Sequence, residues 1–250
     1  MKKNIYMAIL TIVTVLCIIG GSLYHLLGLN PFGWKSSTII ITDSDINLKD
    51  MGTFTRIAVD TDICDVVISQ GTEYGCTYEG RENMRPEISV SGGTLTIKQT
   101  GKNNWFLGLN KDSKVSVTIP SGVELAQADI SSDIGDISIN GINASKYHID
   151  SDVGDVHIEN SHMGNATMEL DTGDATVTHC EFRSLDMDMD IGNAKITLSE
   201  NLNNYRTDLS TSVGEIDVNG QSYSHGYMTQ TDTDKTLTVK NSVGDIDITW

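Results

Sequence analysis

The sequence predicts an all-β protein: a right-handed parallel β-solenoid-like ectodomain with irregular N-terminal strands, preceded by one transmembrane helix. Three observations carry this expectation. A glycine-centred motif recurs with three identical 19-residue spacings, the residues flanking it alternate apolar and polar, and a long charge-free apolar run follows two lysines at the N-terminus.

The first element is the apolar run. Lys2 and Lys3 precede Ile5 to Leu29, which contains no charged residue. As a helix these residues would extend about 37 Å, enough for a hydrocarbon core of about 30 Å. Residues 1–4 are then a cytoplasmic tip, 5–29 a signal anchor in contact with the lipid bilayer, and everything beyond lies outside the cytoplasm, because lysines stay inside. A cleaved signal peptide is the alternative, with Gly20, Gly21 and Ser22 near the cleavage site. Leu23, Tyr24, Leu26, Leu27 and Leu29 continue the apolar run and favour the anchor. Residues 30–52 form a juxtamembrane linker and a first strand, and 53–250 the β-strand-repeat domain.

Residues 36–125 are less regular. Period-2 alternation predicts strands at Thr38–Thr42, Thr55–Val59, Val66–Ser69, Glu87–Val90, Thr94–Lys98 and Lys114–Ile119, and Pro120-Ser-Gly122 is a turn. The loop from Gly101 to Ser113 carries Trp105, Phe106, Leu107 and Leu109, either as an exposed contact tip or folded back over the flank.

The repeat follows. Ser132-Asp-Ile-Gly-Asp-Ile-Ser-Ile139 recurs as Ser151-Asp-Val-Gly-Asp-Val-His-Ile158, and further copies centre on Gly173, Gly192, Gly214 and Gly244. From Gly135 through Gly154 to Gly244 the spacings are 19, 19, 19, 22 and 30. A degenerate copy, Thr61-Asp-Ile-Cys-Asp-Val-Val-Ile68, places Cys64 where glycine belongs. Counting from the glycine as zero, positions −5, +2 and +4 are apolar in the six glycine copies. Positions −5, −3 and −1 share one parity, and +2 and +4 the other. If both strands face one core, the chain shifts phase at the Gly-Asp pair, which is a corner where glycine supplies unusual backbone angles. Volumes agree: Ser132, Ser151, Thr211 and Asn241 occupy −3 where +2 is Ile or Val, whereas Leu170 and Met189 occupy it where +2 is Ala175 or Ala194. An antiparallel β-sandwich is the competing architecture, but the three identical spacings favour stacked coils. The insert Gln221 to Lys235 should leave the last coil as a hairpin, and Trp250 should help cover the open end.

Charge bounds the partners. The 250 residues carry a net charge of −17, and the 215 residues beyond Lys35 carry −20. This excludes nucleic acid as a natural partner and disfavours docking on anionic lipid.

The strands Arg56-Ile-Ala-Val59, Gly93-Thr-Leu-Thr-Ile97 and Val115-Ser-Val-Thr-Ile-Pro120, with the Ser-x-x-Gly-Asp-Ile copies, resemble the bacterial putative-adhesin family with β-strand repeats. That family is a domain of unknown function that includes LiaG-like membrane proteins. The resemblance covers roughly residues 40–250. It implies a membrane-anchored envelope protein with a link to envelope stress, and transfers no catalytic residue.

Candidate chemistry is sparse. Asp133, Asp136, Asp152, Asp155, Asp171 and Asp174 would stack at about 4.8 Å per coil. Ca²⁺ bridging them would relieve the repulsion, and it is the one cofactor candidate; the simpler role is turn capping. Cys64 and Cys76 could form a disulfide if their strands are adjacent and antiparallel. Cys180 aligns with Ile142 and Ser161 as a small buried filler. His148, His157, His162, His179 and His225 share no metal-ligand spacing. Carboxylates at equivalent repeat positions fit structure better than a unique active site, so an enzyme, in this fold a carbohydrate-active one, is disfavoured. The expected function is a non-catalytic, adhesin-like binding or scaffold surface whose partner is an envelope protein or cell-wall component. An accessory or sensory subunit of a membrane complex is the alternative.

Overall fold

A computed structural model describes residues 38–41, 53–100 and 113–250. The expected cytoplasmic tip, membrane span and most of the linker lie outside the described residues, as does the Trp105 loop up to residue 112. Among the described residues no helix is long and apolar enough to cross a membrane.

The described chain is built from strands and two short 3₁₀ turns, Glu82–Met84 and Leu202–Asn204. In chain order the strands before the regular repeats are β1 (Thr38–Ile41), β2 (Arg56–Ile63), β3 (Asp65–Gly71), β4 (Gly75–Arg81), β5 (Glu87–Ser91), β6 (Thr94–Gln99), β7 (Lys114–Pro120) and β8 (Glu124–Leu125). The repeats contribute β9 (Gln127–Ile134), β10 (Ile137–Asn140), β11 (Asn143–Val153), β12 (Val156–Glu159), β13 (His162–Thr172), β14 (Ala175–Ile191) and β15 (Ala194–Leu198). After them come β16 (Arg206–Val213), β17 (Ile216–Val218), β18 (Gln221–Tyr223), β19 (Gly226–Thr229), β20 (Thr236–Val243) and β21 (Ile246–Thr249).

Two sheets result. One, here the leading sheet, takes the strand before each glycine; the trailing sheet takes the strand after it. In the leading sheet β2, β9, β11, β13, residues 181–191 of β14, β20 and β16 pair in parallel. In the trailing sheet β3, β10, β12, residues 175–178 of β14, β15, β21 and β17 do the same. Register is set by the repeat: Ile130 pairs with Ile149, Ile149 with Met168, and Met168 with Met187. Each coil thus lays its −5, −3, +2 and +4 side chains on those of its neighbour, and these residues are buried. The predicted phase shift is present: position −3 is buried, −2 to +1 are not, and +2 is buried again. Parallel pairing throughout the regular coils excludes the sandwich.

Stacking order departs from chain order at both ends. The Gly244 copy lies between those of Gly192 and Gly214, because β20 pairs with both β14 and β16, and β21 with both β15 and β17. At the other end β2 and β3 are interior, covered by β6 and β7. The outermost coil is therefore the Gly214 copy, and Trp250, which is partly exposed, does not close the stack. The insert closes it instead. Rather than pairing with each other as a hairpin, β18 runs antiparallel to β17 and β19 antiparallel to β16. The first end has the same device: β5 runs antiparallel to β6, and β4 to β7 with β1 beyond it. Antiparallel additions block further parallel stacking, which would otherwise leave open edges for another chain. The alternation analysis missed β4, whose sequence Gly-Cys-Thr-Tyr-Glu-Gly-Arg is too polar and glycine-containing to read as a strand.

Glycine at the corner is a steric requirement. Gly135, Gly154, Gly173, Gly192, Gly214 and Gly244 have φ between 143° and 153°. A Cβ on any of them would lie 1.8–2.2 Å from a carbonyl oxygen of the coil beneath. Gly173→Ala should cost about 3 kcal/mol or more, through both the strained angle and that clash. Gly92→Ala, also at positive φ but with open space around it, should cost only about 1 kcal/mol. Urea denaturation checks both; equal losses would show that the stacked carbonyl is not the constraint.

Candidate functional site

The predicted carboxylates separate into two rows along the glycine edge. Position +1 holds Asp65, Asp136, Asp155, Asp174, Asn193, Asp245 and Glu215, in stacking order. Oδ1 of each residue accepts the backbone N–H of the next: Asp136 N–H donates to Asp65 at 3.1 Å, Asp155 to Asp136 at 3.0 Å, and Asp174 to Asp155 at 2.9 Å. Asn193, Asp245 and Glu215 extend the ladder with N–H groups donating to Asp174, Asn193 and Asp245. Short side chains suit this reach. Glu215, on the outermost coil, has no following coil to cap, and there the longer acid is found.

The second row is position −2: Asp62, Asp133, Asp152, Asp171 and Asp190. Asp133, Asp152, Asp171 and Asp190 are exposed. Their face of the leading sheet also carries Asp60, Asp150, Glu169 and Asp188 at −4, and Asp129, Asp186 and Asp208 at −6, with Lys98 and Lys240 among them. Lys98 pairs with Asp60 at 2.9 Å. Burial, with Asp62, Asp152, Asp60 and Asp150 nearby, raises the Asp133 carboxyl above its ordinary pKa. The trailing sheet's outer positions are mostly neutral, for example Ser138, His157, Thr176 and Asn140. Among the described residues no group of three or more His, Cys, Asp or Glu is arranged to hold a metal ion.

Position −1, between −2 and the glycine, was overlooked. Parity placed it with the buried −5 and −3, but the corner begins one residue earlier, and −1 faces outward. Ile63, Ile134, Val153, Thr172, Ile191, Val243 and Val213 stand in register from coil to coil. Val153, Ile191, Val213 and Val243 are 48%, 54%, 64% and 45% exposed, and they are four of the six large hydrophobic residues exposed in the described chain. The signal was available in the sequence: −1 is β-branched in every copy. Beside this ridge a groove of about 80 Å³ is lined by Ile63, Ile134, Val153, Gly135, Gly154 and Asp136, among others.

The opposite corner, where the chain returns to the leading sheet, uses positive φ at Gly141, Asn160 and His179. A polar cleft of about 590 Å³ lies there, lined by Ser69, Gln70, Asn140, Gly141, Asn143 and Asn160. It contains no aromatic and no charged lining residue. His148, His157, His162, His179 and His225 are all exposed. His179 and the buried Cys180 face opposite ways, and the Cys180 thiol donates to the carbonyl of Thr178 at 3.3 Å.

The disulfide considered between Cys64 and Cys76 is not formed. Its premise fails because β7 lies between β3 and β4. In register, Cys76 lies across Val117 from Ile68, four residues beyond Cys64. That offset is roughly 16 Å from strand geometry, whereas a disulfide spans at most about 7 Å between Cα atoms. Both cysteines are buried, and burial pushes the Cys64 thiol up to about 12. Cys64 is tolerated in the glycine position because its φ is negative, unlike the true corner glycines.

The sequence pattern described as Toastrack DUF4097 matches residues 54–219 and, overlapping, 122–249. No curated relative matches the sequence. Solved structures of similar topology include a putative cell adhesion protein from Clostridium sporogenes and a putative adhesin from Bacteroides fragilis. Each is 14% identical with a TM-score of 0.48 over 86% of this chain, covering 99% and 98% of the other chain. A putative lipid binding protein from Parabacteroides distasonis is 12% identical with a TM-score of 0.37, over 86% of this chain and 96% of its own.

Two outcomes follow from the carboxylate rows. Asp155→Asn keeps an acceptor for Asp174 N–H, as Asn193 does for Asp245, and should be nearly neutral. Asp155→Ala removes it and should cost about 1–2 kcal/mol. Thermal melts should not differ between EDTA and millimolar Ca²⁺; a Ca²⁺-dependent rise that Asp155→Asn abolishes would show that the carboxylates hold metal instead. For Asp133 the raised pKa means that the folded state disfavours the charged form. Its penalty is present in full above the folded-state pKa, shrinks as pH falls from there toward the ordinary carboxylate pKa of the unfolded chain, and is gone below that. Asp133→Asn should therefore raise the melting temperature at pH 7, with the gain shrinking as the solution is acidified; a gain independent of pH would remove charge as the cause.

Proposed function

We propose that this chain, which belongs to the Toastrack DUF4097 family, is a membrane-anchored, non-catalytic binding or scaffold protein of the bacterial cell envelope. The observation that carries this reading is the glycine edge. It presents similar residue types at successive coils, a ridge that is apolar except at Thr172 beside a carboxylate row that runs from Asp62 to Asp190 and gives way to Ser242 and Ser212 in the last two coils. A repeated surface of this kind suits an extended partner, whereas catalysis needs unlike groups converging on one point. The +1 carboxylates are already engaged by backbone N–H groups, which leaves them a structural task.

Anchoring is supported by the charge-free run from Ile5 to Leu29 behind Lys2 and Lys3. In this reading the helix holds the domain at the cell membrane, N-terminus inside and coils outside. The outward partner is an envelope protein or cell-wall component, and a role in envelope stress follows from the family resemblance. The coils are taken to wind right-handed, the hand of nearly all parallel β crossovers.

The test is a pull-down with the full chain in detergent against solubilised bacterial envelope, with and without Ca²⁺. A discrete partner should be retained equally in both conditions. Recovery of nothing in either would count against a binding role.

A further inference from the structure

We propose that the glycine edge docks a cationic amphipathic helix of a protein partner, lying along the stacking axis with its apolar stripe on the −1 ridge. The proposal deepens the binding reading and rests on it. Three observations support it.

The first is the ridge itself. Ile134, Val153, Ile191, Val243 and Val213 keep branched apolar side chains at the surface, in register, interrupted only by Thr172. Position −1 does not need an apolar residue for folding, since Thr172 occupies it within a regular coil. An aligned apolar row that the fold does not require is the mark of a contact surface.

The second is charge. Asp133, Asp152, Asp171 and Asp190 precede the ridge residues on the leading-sheet side, and Asp136, Asp155 and Asp174, at +1, follow them on the other side of the glycine. A second copy of this chain packing ridge to ridge would bring like charges together, as would an anionic bilayer. A helix with Lys or Arg on both sides of its apolar stripe complements both rows.

The third is spacing. Coils repeat at about 4.8 Å, and a helix presents its apolar stripe once per turn of about 5.4 Å. Over the six steps from Ile63 to Val213 the mismatch accumulates to only about 3.6 Å by the same figures, within reach of long side chains. An extended strand, whose same-face residues recur at about 6.6 Å, loses register after two or three coils.

The test uses the full chain in nanodiscs of phosphatidylcholine. The probe is a fluorescent 20-residue peptide with a leucine stripe flanked by lysines, compared with a scrambled peptide of the same composition. Val153→Thr/Ile191→Thr/Val243→Thr/Val213→Thr, which copies the native Thr172 at the four exposed apolar ridge positions, removes most of the ridge without touching the core; an unchanged thermal melt confirms folding. The expected result is that the helical peptide binds, binding weakens with salt, and the quadruple variant loses about tenfold or more in affinity. Asp133→Asn/Asp152→Asn/Asp171→Asn should flatten the salt dependence. Equal binding of the scrambled peptide would overturn the proposal, leaving bare charge attraction. Unchanged affinity in the quadruple variant, or preference for phosphatidylglycerol vesicles over the peptide, would also overturn it. If the quadruple variant still captures the wild-type partner from solubilised envelope, the ridge proposal fails while the binding role stands.

Discussion

The stack depends on one contact: the corner of each coil rests on the carbonyl of the corner beneath, with room only for a hydrogen. A Cβ at Gly154 would lie 2.1 Å from the Gly135 oxygen, and one at Gly173 2.0 Å from the Gly154 oxygen. Because the backbones approach so closely, the strands on either side fall into register without further instruction. The same approach turns the +1 N–H toward the +1 side chain of its neighbour, where a short acceptor closes the gap. Glycine and aspartate are therefore two halves of one device, one permitting the approach and the other satisfying the donor that the approach leaves outside the regular ladder.

That device organises the rest. Shifting the phase between −3 and +2 lets both sheets send side chains into one core, so Leu170 and Met189 stack on one another in register, as Ala175 and Ala194 do across the corner. The shift also leaves −2, −1 and +1 outside. The edge therefore collects a carboxylate row, an apolar ridge and a capped acidic ladder side by side, repeated coil after coil. Function, in this reading, is displayed where the fold has no core to fill.

Repetition raises the problem of stopping. Both ends solve it in the same way. Chain returns take the stacking order out of chain order, with the late Gly244 copy inside the Gly214 copy at one end and the later β6 and β7 outside β2 and β3 at the other, and antiparallel strands cover the outer coil on both sheets. At one end Tyr205, buried, donates to Glu200 at 2.9 Å, and Lys235 pairs with the same carboxylate. This joins the connection after β15 to the end of the insert. Burial, the Glu200 hydrogen bond and its charge all raise the Tyr205 phenol well above its ordinary range, while Lys235 and Asn204 lower Glu200.

Local pattern was enough for the repeat, its period, the alternation, the phase shift at glycine and the acidic bias, because each arises from contacts between equivalent positions in adjacent coils. Cys180 as a buried filler and the opposite facing of His179 were legible for the same reason. Order in the stack was not: whether Gly244 lies inside or outside Gly214 depends on which edges pair, and the residues at both edges are alike. Whether the strands of Cys64 and Cys76 are adjacent was hidden on the same ground, since nothing near either cysteine announces that β7 will come between them from about forty residues away. The ridge was missed because parity counts residues, whereas exposure depends on where the backbone bends. Periodicity, set by steric repetition, belongs to the sequence; the identity of neighbours at the ends and the outward turn at −1 belong to the tertiary structure, because they are settled only when distant segments compete for the same edge.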